Sequence, residues 1–190
     1  MSLTLRTRRS RVLAGGTLVA ALGTAGVLGT VSANAESPRP RPAASATPAA
    51  DVSGRTTTTT THLTTAAATR AAQAALHAAR RAHQNVSVAV VDRDGRTLVT
   101  LRGDGAGPQS YESAVKKAYT AVSWNAPTSD LVKRLDSAPT LKDIPGTLFL
   151  AGGAPVTAKG APVAAVGVAG APSGDQDESF AKAGAAALDR

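Results

Sequence analysis

The 190-residue chain carries 21 Lys and Arg against 13 Asp and Glu, contains no cysteine, and has Met1 as its single methionine. The absence of cysteine excludes disulfide scaffolds, thiolate catalysis, iron–sulfur clusters and cysteine-ligated zinc sites. Residues 62–190 hold only 14 basic and 11 acidic residues, because much of the excess positive charge precedes them. The net charge therefore gives little support for a nucleic-acid partner, and we expect none.

Residues 1–35 have the pattern of an export signal. Arginines precede an apolar run, and the small side chains of Ala33-Asn34-Ala35 favour cleavage after Ala35. Arg8 and Arg9 resemble a twin-arginine (Tat) pair, although Arg11 stands where that motif prefers an aromatic residue. An uncleaved membrane anchor is the alternative, but the run is weakly apolar because it is rich in Gly, Ala and Thr. We expect a secreted, cell-wall-associated protein without stable membrane insertion after processing.

Residues 36–61 form a tract of Pro, Ala, Ser and Thr with almost no large apolar side chain. Such a composition buries too little apolar surface to offset the entropy of ordering. It predicts a disordered tether. Residues 62–190 then form a single domain, which is long enough for one hydrophobic core.

The first half of this domain is predicted as a helix, a hairpin and a second helix. Ala-rich Thr64–Gln84 is built from strong helix formers. Val86–Val91 and Arg96–Arg102 are β-rich runs, and the Asp-Gly at the end of residues 92–95 is typical of a hairpin turn between them. Apolar residues recur at helical spacing in Ser110–Asn125.

The second half is predicted to begin with a short helix, Thr128–Ala138. Three apolar runs separated by Gly, Pro and Lys then indicate an antiparallel meander of Thr147–Ala151, Pro155–Ala158 and Val163–Ala169. A last helix covers Ser179–Leu188. The order of elements and the short connections predict an α+β fold, with an antiparallel sheet of about five strands packed with helices.

Two stretches have a structural interpretation that we prefer to a binding role. The acidic residues Asp175, Asp177 and Glu178 open the last helix, where carboxylates complement the helix dipole, and this is favoured over a metal site. The glycine loop 103–108 precedes a helix and offers backbone N–H groups to an anion. Because Pro108 replaces the third glycine of a dinucleotide loop, a plain turn is favoured.

The residues of familiar catalytic sites do not come together in this sequence. Residues 170–174 resemble the nucleophile elbow of serine hydrolases, but Ala171 replaces a required glycine. His77 and His83 are six residues apart, so on a helix they point in different directions, and the HExxH pattern is absent. His62 lies between tether and first helix, where it is either solvated or free to reach a ligand. No acid–base pair is evident, so we expect no enzyme.

A haem iron bound to this chain would have to take nitrogen or oxygen ligands. The candidates are the histidines, Tyr111, Tyr119 and hydroxyls such as that of Thr147. For both tyrosines, packing in the core is at least as good an explanation as ligation. For Thr147, the alternative is an ordinary β-branched strand residue.

Several segments between Val86 and Leu188 are together more specific than these patterns. They include VAVVDRDG, PGTLFLAGGAPV and, as the most specific, VGVAGAPSGDQDE. The domain resembles the HbpS/GlcG-like (DUF336) family, and within it the secreted haem-binding branch. The resemblance implies an octameric α/β sandwich that binds haem b and iron. It also implies that the protein reports redox state to the extracellular domain of a membrane sensor histidine kinase.

The resemblance further implies particular site residues. Thr147 matches a haem-contacting threonine, and His62 matches a histidine linked to haem and iron binding. Glu112 matches half of a Glu-x-x-Glu iron motif, whose second position is Val115 here. We therefore expect a haem store and accessory sensor of redox and iron stress, with any peroxidase-like or haem-degrading activity incidental. The alternatives are a ligand-free oligomeric interaction module, a haem-degrading enzyme and an accessory protein of 2-hydroxy-acid metabolism.

Overall fold

The computed structural model describes residues 49–189. The predicted export signal and the first half of the predicted tether lie outside these residues. The described part of the tether, residues 49–61, is exposed throughout and contains one short 3-10 turn, Gly54–Thr56. Among residues 49–189, no helix has the length and apolar character needed to cross a membrane.

Four helices and four strands make up the domain. The helices are α1 (Thr65–Arg81), α2 (Pro108–Trp124), α3 (Thr128–Lys133) and α4 (Gly174–Ala186). The strands are β1 (Ser87–Asp92), β2 (Thr97–Arg102), β3 (Gly153–Ala158) and β4 (Ala161–Ala169). Two 3-10 turns, Arg134–Asp136 and Pro139–Asp143, connect α3 to the segment before β3.

The four strands form one antiparallel sheet in the order β2-β1-β4-β3. The predicted turn between β1 and β2 is present. In it the Asp92 carboxylate accepts hydrogen bonds from the backbone N–H groups of Asp94 and Arg96, each at 2.9 Å. The central strands, β1 and β4, are buried on both faces of the sheet. This explains why their sequences are nearly continuous runs of Val and Ala.

Helices cover both faces of the sheet. α1 and α4 pack on the face that carries Val88, Val90 and Val166. α2 packs on the opposite face, against Ala89, Val91 and their neighbours on β4. The buried positions of α1 are all alanine, and their small side chains let the helix backbone approach the sheet closely, as the composition predicts. The α+β fold class is confirmed.

Three details of the prediction are wrong. Thr147–Ala151 is not a strand, because its backbone bonds locally and to a helix: Leu150 N–H donates to Leu148 C=O, and Leu148 N–H to the Thr120 hydroxyl. The sheet therefore has four strands within the described residues, and of the predicted meander only the antiparallel pair β3–β4 is present. The helix predicted over Thr128–Ala138 ends at Lys133 and continues as a 3-10 turn.

Candidate ligand-binding sites

One end of the domain is organised around the ring of Tyr119, a half-buried residue of α2. A Cβ added at Gly95, in the β1–β2 turn, would lie 2.7 Å from its Cε2 atom. A Cβ added at Gly146 would lie 3.6 Å from Cε1, on the other edge of the ring. The two loops therefore meet across Tyr119. We call this region, comprising His62, Asp92, Asp94, Tyr119 and Thr147, the Tyr119 end.

His62 contacts the β1–β2 hairpin turn, which forms part of the Tyr119 end. Its Nε2 lies 3.7 Å from Oδ2 of Asp94 and 2.8 Å from the Thr60 hydroxyl. His62, Asp92 and Asp94 each offer one ligand atom, and these atoms all lie within 4.8 Å of one another. Imidazole nitrogen and carboxylate oxygen form a donor set that suits divalent transition metals.

Thr147 follows Gly146, the loop residue that lies against the ring of Tyr119. Its hydroxyl donates a hydrogen bond to the Ile144 carbonyl at 2.7 Å, so the oxygen keeps lone pairs for a ligand. Within residues 49–189 the phenol oxygen of Tyr119 makes no hydrogen bond. Tyr119 and Thr147 thus bring two oxygen donors to the end of the molecule that also holds His62.

Glu112 lies elsewhere, on the exposed side of α2. Its carboxylate binds Lys116 one turn later at 2.7 Å, and the hydrogen bond and charge of Lys116 hold the pKa of Glu112 below its ordinary value. Val115 packs into the core. Within the described chain, no group of three potential metal ligands includes Glu112.

A cavity lies at the opposite end of the strands, between α3 and the start of α4. It has a volume of about 630 Å³. Its lining residues are Lys117, Ser129, Val132, Lys133, Leu150, Ala151, Ala171, Gly174, Asp175 and Asp177. We call it the α4 cavity. Its volume falls in the range of small-molecule sites in proteins.

A buried ion pair forms one wall of the α4 cavity. The Lys117 ammonium donates to Oδ2 of Asp177 at 2.8 Å and to the Val168 carbonyl at 3.1 Å, and both side chains are almost completely buried. Oδ1 of Asp177 accepts from Ala171 N–H at 3.0 Å. Gly152 makes room for the ammonium, since a Cβ there would lie 2.7 Å from Lys117 Nζ.

Glu178, next to this pair, anchors α4 to α3. Its carboxylate accepts from the backbone N–H and the hydroxyl of Ser129, at 2.8 and 2.7 Å, and from Lys182 at 2.8 Å. Burial raises the pKa of Glu178, but the hydrogen bonds from Lys182 and Ser129 and the Lys182 charge outweigh it, so the pKa is lowered overall.

The sequence interpretation missed these tertiary roles. Asp175 is exposed in the first turn of α4, as a residue that complements the helix dipole should be, but Asp177 and Glu178 are buried in polar networks. The position of Lys117 in the sequence could have indicated its buried role. It lies three residues after Ala114 and four before Ala121, on the face of α2 that packs against the sheet. A lysine on an apolar helix face indicates a buried charge that needs a partner.

Comparison with known proteins identifies the family. A sequence profile for the family described as "Haem degrading protein HbpS-like" matches residues 63–186. The chain belongs to this HbpS-like family. The matched region contains Lys117, Thr147 and Asp177 but begins one residue after His62.

Solved structures agree with the HbpS-like assignment. A double mutant of HbpS from Streptomyces reticuli is 72% identical, with a TM-score of 0.73 over 75% of this chain and 97% of that chain. Klebsiella pneumoniae protein ORFY is 27% identical, with a TM-score of 0.67 over 70% of this chain and 95% of that one. A structure described as a PduOC:Heme complex is 26% identical, with a TM-score of 0.61 over 67% of this chain and 95% of that chain. No curated protein sequence matches the chain.

Proposed function

We propose that this HbpS-like protein is a secreted haem-binding protein that serves as a haem store and as an accessory sensor of redox and iron stress. The observation that carries the proposal is that the hairpin turn, whose Asp94 lies 3.7 Å from His62, and the loop that precedes Thr147 both reach the ring of Tyr119. Support also comes from the family's description and from a relative solved as a haem complex. The export pattern of residues 1–35 and the family resemblance support secretion and a sensor histidine kinase as the partner.

The donor set at the Tyr119 end fits a haem iron. Imidazole and phenolate are established axial ligands, whereas a neutral threonine hydroxyl is a weak one. His62 and Tyr119 would hold the iron, and Thr147 would contact the haem beside them. Bound haem would supply a redox-active iron whose state a partner can read. The half-exposed positions of His62 and Asp94 suit a ligand that is released as well as bound.

The assignment is tested by titrating haemin into the wild type and into His62→Ala, Tyr119→Phe and Thr147→Ala, with the Soret band as the readout. We expect the first two variants to weaken binding by about tenfold or more, as for loss of an iron ligand, and Thr147→Ala to have a smaller effect. His77→Ala and Tyr111→Phe are matched controls, because both residues are exposed in the single chain and neither belongs to the Tyr119 end. Unchanged binding in all three site variants would refute the assignment.

Iron binding is a second candidate function, favoured by the approach of His62, Asp92 and Asp94 to one another. A ferrous ion would be held by one imidazole nitrogen and two carboxylate oxygens. Calorimetric titration of the haem-free protein with Fe²⁺ under anaerobic conditions should show one site per chain. The substitution Asp94→Asn should abolish Fe²⁺ binding, whereas Asp104→Asn, at an exposed position, should leave Fe²⁺ binding intact. Equal titrations for both variants would exclude this cluster.

Haem breakdown is named in the family's description, and it is the enzymatic alternative. A binding protein should leave the porphyrin unchanged on the timescale of its release. Incubation of the haem complex with a reductant and oxygen separates the alternatives. Multiple turnovers to an open-chain pigment would favour an enzyme over the proposed store and sensor.

A further inference from the structure

The α4 cavity presents more hydrogen-bond donors than its own residues use. An ammonium has three N–H donors. Lys117, which is 4% exposed, uses two of them, on Asp177 and on the Val168 carbonyl. One N–H of a buried charged group in the cavity wall is therefore without a partner among residues 49–189.

The first turn of α4 adds two further donors. The initial N–H groups of an α-helix have no acceptor within the helix. Here Gln176 N–H reaches the Ser173 hydroxyl and Asp177 N–H the Ser173 carbonyl. Gly174 and Asp175, which line the cavity, donate to no other group in the described chain.

The acceptors in the same wall are already engaged. Oδ2 of Asp177 accepts from Lys117, and Oδ1 accepts from Ala171 N–H. Lys133 adds positive charge at the rim, where it also pairs with Asp130 at 2.8 Å. Two carboxylates line the cavity: the charge of Asp177 is paired with Lys117, and Asp175 is exposed and able to turn toward solvent. The polar wall thus suits a ligand that accepts hydrogen bonds and does not suit a metal ion.

The remaining wall is apolar. Leu150 is 55% exposed, an unusual position for a large aliphatic side chain next to a cavity. Val132, Ala151 and Ala171 complete this surface. A molecule with an apolar body would cover Leu150 while its acceptor group met Lys117 and the start of α4.

We propose that the α4 cavity is a binding site for the carboxylate group of an amphipathic ligand. Lys117, the N–H groups of Gly174 and Asp175, and the charge of Lys133 receive the carboxylate, and Leu150 and Val132 contact the apolar part. Two sources share this chemistry, namely a free aliphatic acid and a haem propionate. The proposal does not require haem to bind at the Tyr119 end.

Equilibrium dialysis with labelled hexanoate tests the site, with hexanol as the neutral analogue. The wild type should bind hexanoate saturably and at least about tenfold more tightly than hexanol, as expected for hydrogen bonds to a charged donor. Leu150→Glu should weaken hexanoate binding by about fivefold or more, since it places a negative charge at the mouth. Lys133→Gln should weaken hexanoate binding by about twofold. The matched control is Lys142→Gln, at an exposed position.

Replacement of Lys117 needs a partner substitution, because an unpaired buried Asp177 would destabilise the fold. The double variant Lys117→Met with Asp177→Leu removes both charges, and its thermal unfolding confirms that it is folded. It should lose hexanoate binding. Both surface variants, Leu150→Glu and Lys133→Gln, keep the test informative if the double variant does not fold.

Haemin and its dimethyl ester distinguish the two sources. Displacement of hexanoate by haemin but not by the ester identifies a propionate, and displacement by neither identifies a free acid. The proposal is overturned if hexanol binds as tightly as hexanoate, if hexanoate does not saturate, or if the site variants bind like Lys142→Gln. Haemin binding measured at the Soret band in Leu150→Glu reports separately on the proposed haem function.

Discussion

At the level of single residues, each buried charged group in the described chain is held by at least one specific partner. Glu178 is 3% exposed, yet it keeps a lowered pKa because Lys182 and Ser129 donate to it. No buried side-chain nitrogen or oxygen in the described chain lacks a hydrogen-bond partner. Such networks are costly to break, since removal of one partner leaves another group desolvated and unpaired.

Glu178→Gln should destabilise the domain by about 1–3 kcal/mol at neutral pH, because the amide cannot replace every charged hydrogen bond. The folded-state pKa of Glu178 lies below the value of 4.5 for a free glutamate. Its stabilisation is therefore complete above about pH 4.5 and is lost as the pH falls through the lower folded value. Urea unfolding from pH 3 to pH 7 should show the difference from the wild type shrinking in acid. A difference that is constant with pH, or equally large for exposed Asp175→Asn, would contradict this.

At the level of elements, the contact between α2 and β4 depends on small residues. A Cβ added at Gly167 would overlap the carbonyl oxygen of Ala114 and lie 2.6 Å from the N atom of Ala118. Both are backbone atoms of a helix, which cannot move individually as side chains do. The helix therefore lies directly on the strand. This approach holds Lys117 and Tyr119, which lie two residues apart on α2, in place for the two candidate sites.

Gly167→Ala should lower the free energy of unfolding by about 3 kcal/mol, because α2 must shift to admit the methyl group. This value is at the upper end for overpacking of a core. Thermal unfolding measures the loss. Gly54→Ala is the matched control, since no atom lies within 4 Å of a Cβ built there. Equal stability of the two variants would show that α2 does not rest on Gly167.

Much of this fold follows from local patterns in the sequence. The β1–β2 hairpin is predictable because Asp-Gly fixes its turn, and α1 because of its run of alanines. Thr147–Ala151 has the composition of a strand, but the backbone N–H of Leu148 donates to the hydroxyl of Thr120, which lies 28 residues earlier in the chain. No local pattern encodes that contact.

The candidate sites are predictable to different degrees. Tyr119 and Thr147 were recognisable as potential ligands from their residue types, and His62 from its place before α1. Their approach to one end depends on two loops meeting across a ring, which requires the tertiary fold. The pairing of Lys117 with Asp177, 60 residues apart, likewise depends on the placement of α4. Only the position of Lys117 on an apolar helix face could have indicated it.

At the level of the whole molecule, the surface favours assembly. Tyr111, Ile144 and Leu150 are large apolar side chains with 41–55% of their surface exposed. A single copy leaves them in contact with water, and oligomers commonly bury such residues. We propose that copies of the chain associate through the surfaces around Tyr111 and Ile144, as the octamer implied by the sequence resemblance would require.

Sedimentation of the purified protein should give a mass several times that of a single chain, and eightfold if the assembly implied by the resemblance holds. Tyr111→Glu should reduce the mass, because it places a charge among buried apolar contacts. Val52→Glu is the control, since Val52 is 62% exposed and lies before α1. A monomer at micromolar concentration would contradict the proposed assembly.

Equilibrium titrations of the same protein with haemin and with iron-free protoporphyrin IX test whether the iron is ligated. If side chains at the Tyr119 end ligate the iron, as we propose, haemin should bind saturably and at least about tenfold more tightly than protoporphyrin. Equal affinities would show that the protein adsorbs porphyrins through apolar contact alone, and an absence of saturable binding would contradict a haem function altogether.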